Sequence, residues 1–286
     1  MEEYGMILQM NRKKMTETEV HMKKSVLKVQ MFGAYSIEYE GKPISFERNT
    51  ATKTNQLMQI LLQAGEKGVA RAKLLSDLFG DEEMSNPANS LRATVFRLRR
   101  LLAAAGLPED EYVTIKGGSY YWTSKIPYEL DAHQFEDLLK KAEKENDLEK
   151  KKSYEEAFEL YRGEFLPQLG AEEWAVVLNV NYKNLFSNAI STLCQVLKDE
   201  KDYKKLYHCA EKAAVIYPLE DWQIWQMDSL IAMDRQDEAM VLYETTTELL
   251  YKELGLTPSD QMKERFRQLE VYQHDKADHV NEIQEG

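Results

Sequence analysis

The sequence predicts a mainly α chain in two modules, a small α+β module followed by an all-α module of helical repeats. Three observations predict it: the charge is unevenly spread, the hydrophobic period changes along the chain, and the second half contains near-repeats. The net charge of −12 divides into −1 over residues 1–22, +4 over residues 23–125 and −15 over residues 126–286. Such asymmetry indicates modules with different partners, and the mildly basic one is a candidate for nucleic acid.

At 286 residues the chain is long enough for two domains, each with its own core. Its two cysteines, Cys194 and Cys209, fit a reducing cytosol better than a disulfide framework. The start "MEEYGMILQMNRKKM" has too short an apolar run for a signal segment, and its basic residues follow that run. No later segment reaches the length of a membrane span, so the expected location is cytoplasmic, with no membrane partner. Residues 1–22 hold five methionines, which leaves open whether Met1 or Met22 is the natural start.

From Ser25 the stretches "SVLKVQMFG" and "AYSIEYEGKPISF" alternate at period two, broken by Gly33 and by Gly41-Lys42-Pro43. That is the pattern of a short antiparallel meander. The period then becomes helical. Leu57, Ile60, Leu61 and Ala64 define a first helix ending at Gly65, and Leu74, Leu75, Leu78 and Phe79 a second closed by Gly80. After the polar connection "DEEMSNP", Ser85 or Asn86 can cap a third helix with Pro87 in its first turn.

That third helix, "PANSLRATVFRLRRLL", holds four arginines and no acid. At ~100° per residue Leu91, Val95, Leu98 and Leu102 form a core-facing stripe. Arg92, Ala93, Phe96, Arg97 and Arg100 cover the opposite side, with Arg99 at its margin. A solvated helix usually mixes lysine and glutamate at i,i+4 spacing, which this face does not. Beyond it, "YVTIKGGSYYWTS" reads as strand, Gly117-Gly118 turn and strand, with Thr114 and Lys116 on one strand face. Sheet, three helices and hairpin make a winged helix-turn-helix.

On "RLRRLL" and "TIKGGSYYW", residues 24–125 resemble the OmpR/PhoB-type DNA-binding domain. The resemblance implies that Pro87–Leu102 enters the major groove of promoter DNA, where arginine hydrogen-bonds guanine, and that Lys116 leads the wing toward the minor groove. By it, Arg97 matches the principal base-reading arginine and Arg99, Thr94 and Asn89 match phosphate-contacting positions. Arg92 and Ala93 occupy positions that can face bases. Phe96 departs from the family, which usually has a polar or basic residue there; it either touches a thymine methyl or folds back onto the protein. The loop Asp81-Glu82-Glu83 corresponds to one by which the family can touch RNA polymerase holoenzyme, and is otherwise a solvated connector.

After Pro127 the sheet signals cease and amphipathic helices follow, broken at Gly163, Pro167, Gly170, Pro218 and Gly255. "EAFELY" at 156 returns as "EAMVLY" at 238, and a ~34-residue offset relates "DYKKLYHCAEKAAVIYP" to "QDEAMVLYETTTELLYK". These read as helical hairpins of tetratricopeptide (TPR) type. The phrases "ELDAHQFEDLLKKA", "AFELYRGEFLPQLGAEEWA", "AAVIYPLEDWQIWQMDSLIAMDRQDEAMVLYE" and "LLYKELGLTPSDQMKERFRQL" resemble the bacterial transcriptional activator domain, which follows a winged helix in the SARP family. The expected organisation is a disordered extension (1–23), the DNA-binding domain (24–125), the TPR-like activator domain (126–270) and a flexible tail (271–286).

Trp222, Trp225 and Tyr217 either stack on a ligand or belong to the core. His21, His133, His208, His274 and His279 show no metal spacing. There is no phosphate loop, so "GEKGVARAK" is not an ATPase motif, and no recognisable catalytic constellation occurs. Enzyme activity, cofactors and metal are not expected. The acidic helices keep the second module away from DNA phosphates. The leading expectation is a sequence-specific transcriptional regulator, an activator that self-associates on direct repeats. The alternatives are a TPR-like interaction adaptor, or a ligand-gated sensor, with a weakened DNA-binding domain. A vestigial face should have gained acids or lost Arg97 and Lys116, and this one has not.

Overall fold

A computed structural model describes residues 26–44, 51–80 and 86–285, with side chains described as far as residue 272. The chain is mainly helical with a small strand region toward the N terminus. It divides into two compact units: the residues up to Glu145 together with Glu159–Asn184, and Asn146–Phe158 together with Leu185 onward.

In the first unit, β1 (Leu27–Gln30), β2 (Ser36–Tyr39) and β3 (Lys42–Ile44) form the antiparallel meander that the period-two pattern predicts. Leu27 and Val29 are buried and Lys28 exposed, so the alternation tracks the core. The helices follow as α1 (Lys53–Ala64), α2 (Arg71–Phe79) and α3 (Pro87–Ala104). Thr52 caps α1 by accepting from the Asn55 N–H, and α1 ends at Gly65. Residues Thr54–Leu62 of α1 are all buried, polar ones included. Gln56 tolerates this because its amide donates to Ala51 O at 2.9 Å and to Glu172 Oε1 at 2.8 Å.

Between α1 and α2, β4 (Val69–Ala70) joins β6 (Ser119–Trp122), which pairs in turn with β5 (Val113–Lys116) in a second sheet. A strand of two residues is too short to carry a period, which is why the sequence does not announce it.

The sheet signals do not end at Pro127. β7 (Tyr128–Leu130) pairs in parallel with β1, extending the first sheet to the order β3-β2-β1-β7. It leads directly into α4 (Asp131–Ala142), whose first carboxylate is buried. Asp131 accepts the N–H groups of Met31, Phe32 and Ala132 at 2.8, 2.9 and 2.8 Å. Burial raises its pKa more than these three donors lower it. Phe32, fully buried, sits among Phe135, Tyr161, Phe165 and Tyr182 at ring separations of 4.5–6.3 Å. The compact unit thus continues past residue 125, where the charge balance and the period change.

Two helices, α5 (Asp147–Leu160) and α6 (Glu173–Asp199), contribute to both units. The second unit continues with α7 (Tyr203–Ile216), α8 (Gln223–Ala232), α9 (Gln236–Leu254) and α10 (Asp260–Glu285). Ile224, Met227, Leu230, Ala239, Met262 and Leu269 form its core across α8, α9 and α10. Asp202 caps α7, and Gly255, in the left-handed region at φ 66°, closes α9. The helix α10 runs on through residues 271–285, where the sequence suggests a flexible tail. Among the described residues no helix is long and apolar enough to cross a membrane.

Candidate nucleic-acid interface

The arginine-rich face is built on α3. The Asn86 side chain accepts the Asn89 N–H at 3.1 Å, and Pro87 stands in the first turn, where its missing N–H is not needed. Leu91, Val95, Leu98 and Leu102 are buried, as the stripe requires. Asn89, Arg92, Phe96, Arg97 and Arg100 are exposed, with Ala93 half-buried among them. Their spacing of i, i+3, i+4, i+7, i+8 and i+11 makes one continuous face. Arg92 reaches Asn89 Oδ1 at 3.5 Å, and the Arg100 guanidinium lies 6.0 Å from the Phe96 ring centroid.

Phe96 is 62% exposed. It does not fold back into the core, and it leaves uncovered an apolar area whose burial is worth roughly 1.5–3 kcal/mol. A large apolar ring beside three exposed guanidiniums is the most distinctive feature of this face.

Two expected contact residues are placed differently. Thr94 is only 2% exposed, and its hydroxyl donates to Ser90 O at 2.9 Å, so the helix itself consumes the group that a phosphate would need. On the helical wheel position 94 falls about 40° from Leu98 and about 60° from Leu91 and turns inward with them. Arg99 donates from Nη2 to the Val113 carbonyl at 2.6 Å and lies 3.5 Å from Glu111 Oε1. It ties α3 to β5, the strand that carries Thr114 and Lys116. Pairing between positions fourteen residues apart was not readable from helical spacing alone.

The hairpin has the expected form. Val113↔Trp122, Thr114↔Tyr121, Ile115↔Tyr120 and Lys116↔Ser119 are in register around Gly117 and Gly118. Both glycines have positive φ, 60° and 79°, the conformation that a two-residue turn of this type demands. Lys116 is exposed, and Thr114 is half-buried on the same strand face. Ile115 is exposed as well, a residue that sequence reasoning passed over. At the base of the hairpin, Asp110 accepts the Lys125 and Glu111 N–H groups at 2.6 and 2.8 Å, and the Lys125 bond foremost lowers its pKa. Asp81, Glu82 and Glu83 lie outside the described residues.

In the helical unit, Tyr217 and Trp222 are core residues, while Trp225 is half-buried at a cleft. Cys194 and Cys209 are buried and form no disulfide, and burial raises the pKa of Cys194, which disfavours a thiolate. His133 is held by Gln63 O at 2.9 Å.

Residues 130–270, about half of the chain, match the family model of the bacterial transcriptional activator domain. Protein RcaC of Microchaete diplosiphon is 28% identical over 120 residues, which is 39% of this chain and 18% of that protein. Among solved structures, Mycobacterium tuberculosis EmbR in complex with a low affinity phosphopeptide is similar with a TM-score of 0.60 at 15% identity. That likeness covers 86% of this chain and 65% of EmbR. The chain therefore spans under two thirds of each of these relatives. The similarity to EmbR is one of fold, and it is too extensive to be confined to residues 130–270, so it includes much of the N-terminal α+β region.

Proposed function

We propose that this chain is a sequence-specific DNA-binding transcriptional regulator of SARP type, with an OmpR/PhoB-type winged helix-turn-helix in front of a TPR-like activator domain. One observation carries the reading: the exposed face of α3 presents Arg92, Arg97 and Arg100 with no acid, beside a Gly-Gly hairpin tipped by Lys116. An exposed helix of that composition fits the width and the potential of a major groove. The match to the bacterial transcriptional activator domain and the fold likeness to EmbR support the same class.

In this reading Arg97 reads a base, Arg92, Arg100 and Asn89 contact bases or phosphates, and Lys116 and Thr114 serve the wing. Phe96 is exposed enough to meet a thymine methyl. Arg99 positions α3 against the hairpin, and Thr94 has no DNA contact. The activator domain and the Asp81–Glu83 segment are the surfaces for RNA polymerase. The protein works in the cytoplasm and requires no cofactor.

Selection of bound sequences from a random DNA pool, at two salt concentrations, tests this. The expected outcome is an enriched motif whose affinity falls with salt. Binding without sequence enrichment, or no binding, overturns the reading in favour of an interaction adaptor.

A further inference from the structure

Phe96 is a large apolar ring in a face made of cations, and its position on α3 limits what it can meet. The buried residues Leu91, Val95, Leu98 and Leu102 define the inward direction of the helix. At ~100° per residue, Phe96 and Arg97 project about 50° to either side of the opposite, outward direction. Ala93 and Arg100 lie between them. Ala93 carries only a methyl group, so it does not hold the ring back from a surface laid against the face. Arg100 is long and flexible, with its guanidinium 6.0 Å from the Phe96 ring centroid. The ring itself is 62% exposed and Arg97 is exposed beside it, so both reach outward from the same stretch of helix.

A helix that brings Arg97 to a base edge in the major groove brings Phe96 into the same groove. The base edges there present hydrogen-bond donors and acceptors and one kind of apolar group, the methyl on C5 of thymine. A ring pressed against the donors and acceptors strips them of water and offers no partner in return, which is costly. Against a C5 methyl the ring leaves water without that loss, and the methyl leaves it too. The methyl of 5-methylcytosine stands on the same ring atom of a pyrimidine, whereas uracil and unmethylated cytosine have only hydrogen there.

We propose that Phe96 makes this protein a reader of 5-methylpyrimidines. Each half-site holds a thymine in the stretch that α3 covers, and the group recognised on it is the methyl and not the hydrogen-bonding edge. At that position 5-methylcytosine is therefore bound in preference to cytosine, so methylation of the DNA strengthens binding there. The proposal rests on the DNA-binding reading of α3 and adds to it the chemical group that is selected.

The test uses the full chain and the duplex it selects from a random DNA pool. Each thymine of a half-site is replaced in turn by uracil, which removes the methyl and keeps every hydrogen-bonding group. One replacement should weaken binding by about fourfold, the loss of one buried methyl group. Phe96→Ser should bind that thymine duplex and its uracil counterpart equally, and Phe96→Leu should keep part of the difference. Both variants should keep the parent melting temperature, because the ring is exposed. With cytosine at the same position, C5 methylation should raise the affinity of the parent by a similar factor and leave that of Phe96→Ser unchanged. Comparing base and side-chain changes as a double-mutant cycle separates this contact from effects of the methyl on DNA shape. Equal binding of every uracil duplex by the parent, a uracil effect that persists in Phe96→Ser, or indifference to cytosine methylation each overturns the proposal, while the selected motif leaves the DNA-binding reading standing. A pool that yields no motif overturns that reading, and the proposal with it.

Discussion

The carboxylate of Asp131 accepts the backbone N–H of Phe32 at 2.9 Å, although the two residues are 99 positions apart in the chain. Its other oxygen takes the Met31 N–H, so one side chain satisfies the two donors left over where β1 stops pairing as a strand. Replacing Asp131 by Ala should leave both donors buried and unpaired, at about 1–3 kcal/mol each. Asp131→Asn retains one acceptor oxygen and should cost less. The folded pKa of Asp131 is raised, so its contribution is full below the ordinary carboxylate value of 3.8 and declines as pH rises through the folded pKa. The stability gap between the parent and Asp131→Asn should therefore narrow between pH 4 and pH 7. Denaturant melts at both pH values measure it, and a gap that widens would show that the carboxylate is the favoured form.

Phe32, two residues beyond β1, packs among four aromatic rings, Phe135 of α4 and Tyr161, Phe165 and Tyr182 from in and around α5 and α6. Phe32→Ala should destabilise the first unit by about 3–5 kcal/mol, the usual cost of truncating a fully buried aromatic. A fragment ending at residue 125 lacks Phe135, Tyr161, Phe165 and Tyr182. It should melt well below one that continues to residue 184, as circular dichroism of the two would show. Equal stability would mean that the N-terminal module folds on its own, as its charge and period suggest.

Much of this unit was legible beforehand, for identifiable reasons. Leu91, Val95, Leu98 and Leu102 are spaced by the helix itself, and Gly117-Gly118 is a local turn signal, so both survive in the structure. β4 and β7 did not show, because two or three residues carry no period and their pairing depends on distant partners. Met31 and Phe32 are buried in succession, which breaks the alternation and hides the link to Asp131. The candidate site divides the same way. The outward arginines follow from spacing, whereas the inward turn of Thr94 and the hold of Arg99 on Val113 are products of packing.

Asp228 gives the helical unit an acid limit. Burial alone would raise its pKa, but hydrogen bonds from Arg265 and Lys198 outweigh this and lower it. A lowered folded pKa means that the stabilisation is present above the unfolded value and is lost as pH falls through the folded one. Thermal melts should accordingly fall steeply below about pH 4, and Asp228→Asn should be less stable at pH 7 while showing a shallower acid decline. An unchanged acid slope in the variant would assign the transition to other carboxylates.

On α3, adjacent outward and anchoring arginines should separate by phenotype. Arg97→Ala should weaken binding to the selected site by roughly 1–3 kcal/mol and relax preference at one base pair. Arg99→Ala should instead lower the melting temperature, since the Val113 carbonyl loses its donor, and should weaken all DNA sequences alike. Competition binding against single-base variants distinguishes the two. If Arg99→Ala changes base preference while stability is unaltered, its guanidinium leaves Val113 to read DNA.

The remaining prediction concerns the arrangement on DNA. One helix the size of α3 reaches only a few base pairs, too few to single out a promoter among about 10⁶ or more competing sites. On the proposed DNA-binding reading, two protomers are therefore expected on each operator. The OmpR/PhoB resemblance implies direct repeats, read head to tail on one side of the duplex, which sets the half-sites about 10–11 bp apart. An insertion of ~5 bp turns one half-site to the opposite side and should abolish cooperative binding. Inserting a whole turn restores the facing and should recover part of it. Footprinting across such a spacer series measures the effect directly. A protein whose cooperativity ignores the half-turn insertion, or which selects inverted repeats, must pair its protomers through a symmetric contact instead.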